Sequence, residues 1–71
     1  MINGKTREII VESIIRSEDC WFTIDDLYLY LDNLRINRKL GCKVLKRMIQ
    51  NKLVKIDINN DCRFYKYIGE K

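Results

Sequence analysis

The chain has 71 residues, 46% of them apolar and 34% charged, with a formal net charge of +4. A chain this short buries only about 60% of the surface it exposes when unfolded, so one domain spanning residues 1–71 is the ceiling; the composition excludes both an obligately disordered chain and a membrane protein. With no His, the commonest metal ligand and the one side chain that titrates near neutrality unaided are missing, which removes most zinc and triad chemistry.

Residues Thr6 to Ser17 carry Ile10, Val11, Ile14 and Ile15 at helical spacing, with Glu8 early, where the positive helix end favours it. Asn3-Gly4 before them reads as a loop. Ile9 falls opposite the centre of the stripe, as a single exposed apolar side chain or a dimer contact. Cys20-Trp21-Phe22 is a short β-prone run, expected to form a third strand. Thr23-Ile24-Asp25-Asp26 is a capping signal in which the Thr23 hydroxyl accepts from the Asp26 amide, so a second helix begins at Ile24. Ile24, Leu27, Tyr28 and Leu31 share one face of it; Leu29 and Tyr30 point elsewhere and are further dimer candidates. Asp32-Asn33 ends it.

Asn37 caps a third helix that runs to about Asn51, with Leu40, Val44, Leu45 and Met48 on its apolar face. Gly41 among them costs about 1 kcal/mol against Ala, which implies close approach of another helix. From Val54 the period drops to two: Val54, Ile56 and Ile58, then the turn residues Asn59-Asn60-Asp61, then Phe64, Lys66 and Ile68 alternating with Arg63, Tyr65 and Tyr67. That is a β-hairpin, which must pack on the helices to be stable. The expected core is Ile10, Ile14, Leu27, Leu31, Leu40, Val44, Leu45, Met48 and Phe64.

The charge is divided along the chain. Residues 1–33 hold three Lys and Arg against seven Asp and Glu, residues 34–71 eleven against three, and Arg35 to Lys55 contains eight basic residues and no acidic one. Such asymmetry suggests a polyanion-facing half; a solvated charged helix is the simpler alternative. Cys20, Cys42 and Cys62 are odd in number and contain no C-x-x-C, so neither a zinc site nor a complete disulfide framework is expected. Cys20 and Cys62 flank predicted strands, which should shield them. Cys42 falls in the middle of the basic face, where neighbouring cations favour the thiolate. No glycine-rich phosphate loop and no nucleophile beside a base is present, so no enzyme activity, cofactor, metal or small-molecule ligand is expected. No apolar run approaches the roughly 18 residues of a membrane span, and the N-terminus lacks the order of a signal peptide; a cytoplasmic protein without a membrane partner is expected.

The order helix, short strand, helix, turn, basic helix, hairpin resembles the winged helix-turn-helix family over nearly the whole chain. The stretch Ile36-Asn37-Arg38-Lys39-Leu40-Gly41-Cys42-Lys43-Val44-Leu45-Lys46-Arg47-Met48, followed by Leu53-Val54, looks like that family's recognition helix and its lead into the wing. Where the family commonly has Gly, this chain has Lys52, so Asn51 or Lys52 takes left-handed geometry. The hinge Gly before the third helix is also missing, and the wing tip is short and not basic.

The resemblance implies an α+β fold and a small sequence-specific regulator of transcription, binding double-stranded DNA with its third helix in the major groove. Asn37, Arg38, Lys39, Cys42 and Lys43 would lie nearest the bases. Arg35, Lys46, Arg47, Lys55 and Arg63 would meet phosphates, which set affinity and register. A homodimer through Ile9, Leu29 or Tyr30 would supply useful specificity. The same fold also serves as a protein-interaction module, such as a viral or phage inhibitor or a subunit of a larger complex, and the acidic first half and non-basic wing tip suit that alternative.

Overall fold

Four apolar side chains on the first helix compete for the core, and its neighbours select two of them. The computed structural model describes residues 4–69. In α1 (Gly4–Ser17) Val11 and Ile15 are fully buried, whereas Ile10 and Ile14, expected in the core, are half-buried at its margin. The first helix packs on both other helices, with Val11 and Ile15 in the shared core. Gly4 belongs to the helix and not to the loop expected there; Asn3 lies outside the described residues.

The capping box at Thr23 is present in full. The Thr23 hydroxyl accepts from the Asp26 amide at 3.2 Å while the Asp26 carboxylate accepts from the Thr23 amide at 3.0 Å, satisfying two donors that the helix start leaves open. Helix α2 (Ile24–Asn33) follows, burying Leu27 and Leu31. It stops without glycine: Arg35 adopts φ 57°, its amide donates to the Asp32 carbonyl, and the Ile36 amide donates to the Leu31 carbonyl at 2.8 Å. This is a Schellman ending with arginine in the left-handed position, and it delivers Ile36 into the core.

Helix α3 (Arg38–Gln50) is capped by Asn37, whose side chain accepts from the Lys39 amide at 2.7 Å. Val44, Leu45 and Met48 are buried; Leu40, expected with them, is half-buried. Gly41 lies against Leu31 so closely that a Cβ there would overlap the Leu31 Cδ1 atom. The helix ends as α2 does. Lys52 takes φ 63°, its amide donates to the Ile49 carbonyl, and the Leu53 amide donates to the Met48 carbonyl.

Strands β1 (Val54–Asn59) and β2 (Cys62–Tyr67) form an antiparallel hairpin in which Ile56 opposes Tyr65. Its turn residues Asn60 and Asp61 both have positive φ, 52° and 65°, the geometry of a type I′ turn that Asn and Asp tolerate. The expected third strand is reduced to one antiparallel bridge, Phe22 to Tyr65. That bridge also corrects the inward face of β2. Tyr65 and Tyr67 are buried, with the Tyr65 ring against Phe22 at 5.8 Å between centroids, and Phe64 is turned to the opposite face. Phe22, Ile36, Val54, Tyr65 and Tyr67 join the helices in a single apolar cluster. Among the described residues, no helix is long and apolar enough to cross a membrane.

Candidate functional site

Helical spacing places Lys39, Lys43 and Lys46 along the exposed side of α3, with Cys42 half-buried between them. Together with Tyr28 and Arg38 these residues line one shallow depression of 480 Å³. Among the described residues, Lys39 and Lys46 pair with no carboxylate, and Lys43 reaches Glu8 at 3.8 Å while its side chain stays largely in solvent. At the centre, the Cys42 thiol meets the Tyr28 hydroxyl at 3.1 Å. This hydrogen bond raises the Tyr28 pKa above its ordinary value, reinforced by desolvation, so the hydroxyl stays protonated at neutral pH.

Two of the residues expected to face bases have structural partners. Asn37 accepts the Lys39 amide as the helix cap. Arg38 forks onto Asp32, Nε to Oδ1 at 3.1 Å and Nη2 to Oδ2 at 2.6 Å, with its guanidinium 4.6 Å from the Tyr28 ring centre. The Arg38 hydrogen bond holds the Asp32 carboxyl below the usual range, and the same bond raises the Arg38 pKa. Lys39, Cys42 and Lys43 remain together in the depression.

The expected phosphate contacts divide further. Arg35 is exposed at the left-handed corner between α2 and α3. Arg47 turns to α1, where it reaches Glu8 at 3.3 Å and is half-buried. Lys46 and Arg63 both line a second, largely apolar groove of 740 Å³ between α3 and the hairpin, which also includes Ile24, Leu45, Ile49 and Ile56. Lys55 lies on the other face of the hairpin, directly opposite Lys66.

Of the three dimer candidates, Leu29 and Tyr30 are exposed and share a depression with Trp21, rimmed by Glu18 and Asp26. The Tyr30 hydroxyl donates to the Glu18 carboxylate, which raises the Tyr30 pKa. Ile9 is exposed on α1 and does not line that depression. Trp21 is not legible in the sequence as part of this surface, because Cys20-Trp21-Phe22 reads as a strand; its ring carries the Lys66 ammonium at 6.0 Å. Cys20 and Cys62 are exposed, which overturns the shielding expected from flanking strands. The reason is that Cys20 precedes the single bridge at Phe22 and Cys62 sits beside the hairpin turn. Among the described residues, no group of three or more His, Cys, Asp or Glu is placed to hold a metal.

Tyr28, Asp32 and Glu8 were not legible as site residues, since their partners lie 14, 6 and 39 positions away. They sort the basic residues of α3 into those paired with a carboxylate, Arg38 and Arg47 among them, and those without such a partner among the described residues, Lys39 and Lys46. Comparison with protein-family models, curated proteins and solved structures finds no match to this chain.

Proposed function

We propose that this chain is a small winged helix that binds double-stranded DNA sequence-specifically as a transcriptional regulator, with α3 in the major groove. The observation that carries this reading is the convergence of Lys39, Lys43 and Lys46 around Cys42 on the exposed face of a capped helix, two of them without a carboxylate partner. Ammonium groups gathered on one face repel one another, and a polyanion relieves that repulsion by replacing its own counterions. An α-helix fits the major groove of B-form DNA, where Lys donates to guanine O6 and N7. Lys39 and Lys43 near the start of α3 read bases, while Arg35, Lys46 and Arg63 meet phosphates. Arg38 is held in place by Asp32 and reads a base only with its remaining donors.

Titrating a labelled duplex with the purified chain at two salt concentrations tests this. Affinity that falls steeply with salt, and that is higher for a duplex selected from random sequences than for the random pool, is the expected result. No binding at low salt rejects it. The Trp21, Leu29 and Tyr30 depression favours a second reading, a protein-interaction module that presents its acidic-rimmed aromatic face; that reading predicts no duplex affinity at either salt.

A further inference from the structure

Strand β1 has two edges, and the hairpin uses one. Phe22 and Tyr65 exchange both backbone hydrogen bonds, at 2.8 and 2.7 Å, so the Tyr65 amide and carbonyl point away from β1. Pairs in an antiparallel ladder alternate between bonded and non-bonded; Ile56, opposite Tyr65, therefore points its own amide and carbonyl away from β2. The 2.8 Å bond from the Ile68 amide to the Leu53 carbonyl fixes the same alternation at the other end. The backbone groups of Val54, Ile56 and Ile58 thus point toward the free edge, along which Ile56 and Ile58 are exposed while Val54 is covered. Among the described residues, no backbone bond from outside the hairpin reaches them. Their side chains share one face of the strand, on which Ile56 is 39% and Ile58 66% exposed. An unpaired edge with an apolar face is a template for another strand.

We infer that β1 pairs antiparallel with β1 of a second copy, about a two-fold axis through Ile56. The sequence Val54-Lys55-Ile56-Asp57-Ile58 is complementary to itself in this register. Ile56 opposes the partner's Ile56, the pair bonded through the outward backbone groups, and the exposed Ile58 lies beside the partner's Val54, which is covered. Lys55 opposes the partner's Asp57, and Asp57 the partner's Lys55. A shift of two residues either way sets Lys55 against Lys55 or Asp57 against Asp57, and a shift of one breaks the bonding alternation; like charges directly opposite destabilise a sheet. Charge therefore selects one register. The contact is isologous and closes on itself, and growth from the other side is hindered where Phe22 bridges Tyr65. The hairpins join as a four-stranded sheet whose exposed isoleucines form one strip.

This surface is separate from the Ile9, Leu29 and Tyr30 candidates, and it does not depend on DNA binding. Sedimentation of the full chain over a concentration series tests it. The native chain forms a dimer. Asp57→Lys and Lys55→Asp each place like charges in both cross-strand positions and weaken the dimer by about tenfold. Mixing the two variants brings opposite charges together again and yields a heterodimer of native affinity, read by tagging one chain. Ile56→Pro removes an outward amide at an edge position that tolerates proline and gives a monomer with unchanged helical circular dichroism. A native chain that stays monomeric throughout overturns the inference, as does a dimer that ignores charge reversal. A dimer lost only on Leu29→Asp would move the contact to α2.

Discussion

The Arg38 guanidinium and the Asp32 carboxylate meet in a two-point fork, at 3.1 and 2.6 Å, that ties the last turn of α2 to the first residue of α3. The fork places a negative charge beside the cations proposed to face DNA. Asp32→Asn removes that charge and releases Arg38, so duplex affinity rises and the salt slope steepens by about one. Unchanged affinity would mean that this corner of α3 does not approach the duplex.

The same fork has a pH signature. Asp32 titrates below its ordinary value because Arg38 bonds its charged form. The stabilisation is therefore present above the unfolded carboxylate value of about 3.9 and is lost as pH falls through the lower folded value. Carboxyl chemical shifts followed against pH should show the Asp32 midpoint moving up in Arg38→Ala; an unmoved midpoint contradicts the assigned cause.

Gly41→Ala tests the approach of α2 to α3. Alanine favours the helix by about 1 kcal/mol, but the added methyl overlaps fully buried Leu31, and overpacking costs about 1–3 kcal/mol. Denaturant unfolding should show a net loss of stability, smaller in a Leu31→Val background. A more stable Gly41→Ala chain would show that the helices separate easily.

Lys52→Gly acts in the opposite direction. A lysine at φ 63° pays a steric penalty of about 1–2 kcal/mol that glycine avoids, partly offset by glycine's greater freedom in the unfolded chain. A net gain of about 1 kcal/mol corresponds to a Tm rise of about 4–8 °C in a domain of this size. A lower Tm would indicate that the left-handed ending of α3 is not formed in solution.

Base and phosphate contacts differ in what their loss does. Lys39→Ala or Lys43→Ala should weaken a selected duplex more than a random one, whereas Arg35→Ala or Lys46→Ala should weaken both equally and reduce the salt slope by about one. Equal behaviour of all four would leave no distinction between the two roles.

Local signals carried much of this structure and non-local pairing decided the rest. Thr23 with Asp26, Asn37, and the positive-φ demand at Asn51 or Lys52 are each settled within a few residues; the caps are where the sequence puts them, and the structure meets the demand at Lys52. The inward face of β2 was not legible, because Phe64 and Ile68 compete with Tyr65 and Tyr67 on opposite faces and the choice is made by Phe22, far away in sequence. The basic row of α3 could be read from its spacing. Which cations are already occupied could not, since Glu8 and Asp32 reach them only through the tertiary fold.

Thiol labelling in the presence and absence of duplex tests the central claim most directly, because one molecule carries both probe and control. Cys42 lies among Lys39, Lys43 and Lys46, whereas Cys20 is exposed on the segment before α2 and does not line that depression. With α3 in the major groove, saturating duplex slows modification of Cys42 and leaves Cys20 unchanged, and a bulky adduct already on Cys42 abolishes binding. Equal Cys42 rates in free and duplex-bound protein, or an adduct that leaves affinity intact, would show that this helix does not face DNA.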